Sequence, residues 1–126
     1  MKVLKAESGF TLIEMMLVVI IIGILASMVV PSFVGRAREA RVKAAQGDIA
    51  NVGVALDLFE LDQGRYPSSL SELLTSERKY LKEAGVPRDP WDNEYIYNYS
   101  GQTYELKSSG PDGIAGTEDD ISSSDL

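Results

Sequence analysis

The chain has 126 residues, with twelve Lys or Arg against nineteen Asp or Glu, a net charge of -7 and a pI near 4.5. It contains no cysteine and no histidine. This excludes disulfide staples, the usual general base at neutral pH and the commonest zinc ligands, so any metal site must be built from oxygen and favours calcium or magnesium. The acidic surface offers nucleic acid no attraction, and no nucleic-acid partner is expected.

The chain opens with a short polar stretch, MKVLKAES, followed by Gly9. From Phe10 to Val34 the only ionisable side chain is Glu14. A run of this length suits one helical crossing of a bilayer, which takes about 20 residues. An ordinary secretory signal fits poorly. Its apolar region would span about 7–15 residues before a small-residue cleavage site, whereas Met15 to Val30 alone gives 16 uncharged residues and no A-x-A follows. A plain single-pass anchor accounts for the length but leaves Glu14 unexplained. A carboxylate inside hydrocarbon costs about 2.5–3.5 kcal/mol on insertion scales and wants a partner. Basic residues flank both ends, Lys2 and Lys5 before the helix and Arg36, Arg38, Arg41 and Lys43 after it, so charge bias does not orient the segment. Pro31 lacks the N–H that would bond the Ser27 carbonyl, and with Gly23 it predicts soft points, with a kink or local melting near Pro31 once subunits pack.

After Gly35, Val42, Ala45, Ile49, Val52, Leu56 and Phe59 recur at alternating spacings of three and four. This predicts an amphipathic helix whose apolar stripe packs on the chain's own small domain, with Arg38, Lys43, Asp48, Asp57 and Glu60 off the stripe. Gly64 reads as its C-cap, with Pro67 behind. Ser68 or Ser69 is expected to cap a short helix that turns Leu70, Leu73 and Leu74 inward. Pro87 to Pro90 reads as a loop, and Trp91 as an anchor for the small core. Residues 94–99 and 103–107 alternate about the break Ser100-Gly101-Gln102, which predicts a hairpin with its tyrosines packed. The last stretch, SSGPDGIAGTEDDISSSDL, holds Asp112, Glu118, Asp119, Asp120 and Asp125 with no basic residue. It reads either as a frayed, solvated tail or as a calcium loop, in which Gly110, Gly113 and Gly116 let backbone carbonyls turn inward beside the carboxylates. The EF-hand pattern is absent.

The contiguous G-F-T-L-I-E at residues 9–14 resembles the processing site of type IV pilins and type II secretion pseudopilins. The order of parts that follows strengthens the resemblance: long helix, D-Q-G-R-Y-P, D-P-W-D-N-E-Y, strand, then G-P-D-G. It covers nearly the whole chain and is closest to the major pseudopilins of type II secretion. Adhesive type IV pilins usually close their C-terminal region with a disulfide, which this chain cannot form. The resemblance implies cleavage after Gly9 by a prepilin peptidase, methylation of Phe10, and a Glu14 carboxylate that meets the Phe10 amine of a neighbouring subunit at extraction from the membrane. A dipole interaction of Glu14 with its own helix start remains alongside that pairing. It also implies calcium held by Asp112 and one or both of Asp119 and Asp120, with carbonyls near Leu106, Ser109 and Thr117 as further ligands. The loop is shorter than the common pseudopilin version, so the choice between Asp119 and Asp120 stays open.

The expected fold is α+β: a long N-terminal helix, half membrane and half amphipathic, packed on a small domain with a short antiparallel sheet and an acidic calcium-type loop. The expected divisions are a leader at 1–9, a membrane and assembly helix at 10–34, an amphipathic helix at 35–63 and a globular domain at 64–126. The implied role is a structural subunit rather than an enzyme. It is a homopolymer held in the inner membrane before assembly, with its C-terminal domain in the periplasm, and it meets minor pseudopilins and an inner-membrane secretion platform. Assembled filaments would lie in the periplasm or at the cell surface. The basic cluster Arg36 to Lys43 either meets acidic neighbours and lipid headgroups or is a solvated face. The chain carries no G-x-x-x-x-G-K-[ST] loop and is not the motor of such a system. The rivals are a surface pilin for adhesion, motility or electron transfer, and a DNA-capturing pilin, which would want a basic aromatic face.

Overall fold

The computed structural model describes residues 8–126 except Glu83; Lys2 and Lys5, with most of the expected leader, lie outside the described residues. Helix α1, Leu12–Gln63, runs for 52 residues. A short helix α2 (Glu72–Thr75) and strands β1 (Ile96–Tyr99), β2 (Tyr104–Ser108) and β3 (Ile121–Ser122) follow, and a single 3-10 turn, Ser123–Asp125, closes the chain. The chain divides after Ala37 into two compact units.

In the first unit α1 is apolar all round. Its large side chains from Leu12 to Val34 are all exposed, and none of its most apolar stretch is buried. Residues of this kind bury themselves only against lipid or other helices. In the single subunit α1 is helical on both sides of Pro31; the kink or local melting is an expectation for packed subunits. Proline removes one backbone bond and strains one turn, at about 3 kcal/mol, and a long uninterrupted helix absorbs that loss. Nearby, the Ser27 hydroxyl donates to the Ile24 carbonyl at 2.7 Å.

The second unit holds the core. Ala45, Ile49, Val52, Leu56 and Phe59 of the predicted stripe are all at most 2 % exposed, and Val42 is partly buried against them. Ala55 joins the same face. Leu70, Leu73, Tyr95, Leu106 and Ile121 complete the cluster. Each fully buried aliphatic side chain of this size contributes about 1.5–3 kcal/mol. Gly64 ends α1 with φ +71° and donates its N–H to the Glu60 carbonyl at 2.7 Å, the left-handed stop that glycine alone takes without strain.

Three local expectations are corrected. The residue before α2 is Ser71, which makes no side-chain cap. Glu72 instead reaches back to accept the Ser68 N–H at 3.0 Å and the Ser68 hydroxyl. That bond leads the causes holding its carboxyl below the usual range, with Arg65 adding to it. Of the three leucines, Leu73 is fully buried and Leu74 only partly. Trp91 packs at the margin of the core, and the buried aromatic of that loop is Tyr95, at 7 % exposure.

The predicted hairpin forms. β1 and β2 pair antiparallel with Tyr99 opposite Tyr104, and Gly101 turns at φ +79°. β3 pairs antiparallel with β2, Ser108 opposite Ile121, giving the order β1-β2-β3. The frayed-tail reading therefore fails for the end of the chain, where Ile121 and Ser122 are buried. Two tyrosine hydroxyls tie the hairpin region down. Tyr95 donates to Asp48 at 3.0 Å and Tyr97 to the Pro67 carbonyl at 2.8 Å. Burial, seconded by the Asp48 charge, raises the Tyr95 hydroxyl far above its usual range, and burial pushes Tyr97 up to about 12. Both stay protonated donors at neutral pH.

Candidate assembly and metal-binding sites

The N-terminal site is built on the start of α1. Gly9 and Phe10 precede the helix, and Phe10 is 82 % exposed. The helix begins two residues later than the sequence suggests because Thr11 caps it. The Thr11 hydroxyl accepts the Glu14 N–H at 3.2 Å, and the Glu14 carboxylate accepts the Thr11 N–H at 2.9 Å and the Thr11 hydroxyl at 3.2 Å. This is a reciprocal capping box, which satisfies two orphan N–H groups at a helix start. The T-L-I-E spacing carries that signature, and reading Glu14 only as a charge overlooked Thr11. Both bonds to the carboxylate fall on Oε2. A carboxylate accepts about four hydrogen bonds, so capacity for another donor remains.

The acidic loop hangs on a buried carboxylate that the sequence did not single out. Asp89, 4 % exposed, accepts the N–H groups of Trp91 at 3.1 Å and Asn93 at 2.8 Å on one oxygen. On the other it accepts the hydroxyl of fully buried Ser108 at 2.7 Å, and that hydroxyl in turn accepts the Gly110 N–H at 3.1 Å. One network thus joins D-P-W-D-N to the end of β2, where the loop begins. The signal was present in the aspartate before proline, since such residues fold their side chain onto the backbone ahead. Asp89→Ala leaves one buried and two partly buried donors without an acceptor, and is expected to cost about 2–4 kcal/mol of stability. Denaturant unfolding of a fragment beginning at Arg38 measures it, with Ser108→Ala as the smaller loss. Equal stability of Asp89→Ala and parent would refute the network's role.

Within the loop, Gly110 has φ +66°, and a Cβ there would lie 2.0 Å from the Asp119 carbonyl oxygen. Only glycine lets the loop's two ends pass this closely. Asp112 serves its own turn, accepting the Ile114 N–H and the Thr117 hydroxyl, each at 2.9 Å. Asp119 faces Arg38 at 3.3 Å in a partly exposed pair, of a kind worth about 0–1 kcal/mol. Asp120 accepts the Gly116 N–H at 2.8 Å on Oδ2, while its Oδ1 is buried with no hydrogen-bond partner. Leu106 and Ser109 are buried at the loop's root, and the Thr117 carbonyl accepts the Asp120 N–H at 3.2 Å. Among the described residues no three acidic side chains gather around one point. Asp112, Asp119 and Asp120 therefore belong to one loop without converging. The orphaned Asp120 oxygen fits a cation, because a buried carboxylate oxygen left unpaired is costly. Calcium suits such a loop because it accepts carbonyls for many of its 6–8 oxygens.

A subunit with a wholly exposed apolar helix start, a capped acid within it and a small α+β domain behind it is of the pilin type. A family profile described as the prokaryotic N-terminal methylation motif matches residues 4–30, and one described as "Type II secretion system (T2SS), protein G" matches residues 32–124. The chain belongs to that protein G family. It is 40 % identical to a protein named type II secretion system core protein G from Escherichia coli K12, over 96 % of this chain and 93 % of that one. A protein of the same name from Pseudomonas aeruginosa is 40 % identical, over 91 % of each chain. The crystal structure of the major pseudopilin from the type 2 secretion system of enterohaemorrhagic Escherichia coli superposes with a TM-score of 0.61 at 30 % identity, covering 71 % of this chain and 87 % of that one.

Proposed function

We propose that this chain is the repeating structural subunit of a pseudopilus that drives type II protein secretion, processed after Gly9 and polymerised through its N-terminal helix. The carrying observation is the contrast along α1, whose first half buries nothing while its second half buries a continuous stripe. The first half is suited to lipid before assembly and to other copies of itself afterwards. The names borne by the relatives support this reading, as does the methylation motif.

Cleavage after Gly9 frees an amine on Phe10, next to the capped start of α1. In a neighbouring copy the Glu14 carboxylate, already oriented by Thr11, accepts that ammonium and sets the register between subunits. The leader at 1–9, the helix halves at 10–34 and 35–63 and the domain at 64–126 then have separate tasks of targeting, bundling, support and sheath. Before assembly the chain sits in the inner membrane with its C-terminal domain in the periplasm, and its partners there are a prepilin peptidase, minor pseudopilins and the secretion platform. Calcium, when bound, supplies a positive centre that draws carboxylate and carbonyl oxygens together. Asp120 is the first side-chain ligand, supported by its orphaned oxygen, with Asp112, Asp119 and the carbonyls of Leu106, Ser109 and Thr117 as further donors.

The test is the N-terminal mass of the protein isolated from membranes or sheared filaments. The expected peptide begins at methylated Phe10. An intact Met1 in mature material would leave a plain membrane anchor and overturn the reading.

A further inference from the structure

We propose that Ser32 and Arg36, at the far end of the apolar stretch of α1, form a seat for the phosphate of an anionic phospholipid. The inference deepens the function proposed above and rests on its membrane step. The two residues stand one turn apart and line a cleft of about 480 Å³ with Met28, Val29, Phe33 and Ala37. All six are exposed. The lining divides by chemistry: Met28, Val29 and Phe33 suit an acyl chain, and the hydroxyl and guanidinium suit the phosphate above it. Both donors are free. Ser27 donates its hydroxyl to the Ile24 carbonyl, whereas the Ser32 hydroxyl meets no partner among the described residues. Arg38 pairs with Asp119 and Lys43 with Glu39, while Arg36 pairs with no described acid. A guanidinium holds a phosphate through two parallel N–H bonds, and the hydroxyl supplies a third.

Depth and charge select the lipid. Arg36 is the first ionisable residue after Glu14, and the two lie about 33 Å apart along α1 at 1.5 Å per residue. The hydrocarbon core is about 30 Å thick. A helix that crosses it with Arg36 in one headgroup layer therefore brings Glu14 to the other. Copies crossing the same bilayer stand level, so a neighbouring copy offers Arg36 only its own Arg36 and apolar side chains. The next acid along the chain, Glu39, is held by Lys43 at 3.1 Å. No acid lines the cleft, so it gives the ammonium of a zwitterionic headgroup nothing to pair with. A headgroup of net negative charge suits the lone arginine better. Seating it holds the helix at one depth until extraction strips the lipid away.

The full-length chain is reconstituted in phosphatidylcholine vesicles with a trace of phosphatidylglycerol carrying a photoreactive diazirine on its acyl chain. After irradiation, peptide mass spectrometry reads the adducts on residues 28–37 while unlabelled phosphatidylglycerol or phosphatidylethanolamine competes. Phosphatidylglycerol is expected to displace them about fivefold more effectively, the effect of one cation close to an anionic membrane surface. Arg36→Gln is expected to abolish that difference and Ser32→Ala to reduce it. Arg41→Gln, which removes a cation outside the cleft, is expected to leave it unchanged. Equal displacement by the two lipids in the parent would overturn the seat. So would an equal loss from Arg41→Gln, which would show diffuse attraction to the basic cluster. A chain that an alkaline wash strips from the vesicles would instead overturn the membrane step, and the seat with it.

Discussion

Glu14→Gln is expected to leave cleavage after Gly9 and methylation of Phe10 intact while removing most filaments. Glutamine at the third helical position still completes the capping box with Thr11, so the helix start survives and only the charge is lost. If the carboxylate meets a neighbour's ammonium in a water-poor bundle, removing it strands that ammonium. Breaking a buried pair in this way costs about 3–5 kcal/mol, a factor of more than about 100 in each subunit addition. Glu14→Ala removes both cap and charge and is expected to be at least as severe, whereas Glu14→Asp keeps an acid on a shorter stem and is expected to be milder. Filament yield in the sheared fraction and the mass of the N-terminal peptide together decide it. Normal filaments from Glu14→Gln would show that capping alone accounts for this residue, whose bonds within its own chain both run to Thr11.

The second large effect is expected from calcium. A ligand that binds only the folded form at a hundredfold excess over its Kd stabilises by about 2.7 kcal/mol. For a domain of this size that is a rise in Tm of about 10 °C or more. A fragment beginning at Arg38, with and without millimolar calcium, measures it by thermal unfolding. Asp120→Asn should abolish most of the shift, because the buried Oδ1 has no other partner. Asp119→Asn should remove less, since that carboxylate faces Arg38. No calcium-dependent shift in the parent fragment would rule out the metal. An equal loss from both variants would leave Asp120 without its special place.

Periodicity made the helical half of the fold legible. The stripe from Val42 to Phe59 follows from the 3.6-residue repeat, and the same residues pack against the domain, while the shorter row Val54, Leu58 and Leu61 stays exposed. Gly64 and the hairpin break were legible for a similar reason, since each depends on a few neighbouring residues and their backbone preferences. β3 was not. Two residues carry no period, and Ile121 pairs with Ser108 only because the intervening loop returns it to the sheet edge. Asp89 was hidden in the same way. Its partners Trp91 and Asn93 are local, but Ser108 lies nineteen positions away and meets it only in the folded domain.

The sequence by itself determined the pilin-type start and the membrane-length helix, because both are carried by contiguous residues; the resemblance pointed to the secretion branch with a surface pilin as the alternative, and the family match over residues 32–124 decided it. Tertiary structure decided how the acidic residues differ. Asp112 braces its own turn, Asp119 faces Arg38, and Asp120 keeps a buried oxygen without a partner. Nothing local separates Asp119 from Asp120 in a run of acids. Their roles part only in the folded loop, where Asp119 faces Arg38 and one Asp120 oxygen is buried beside the close passage at Gly110.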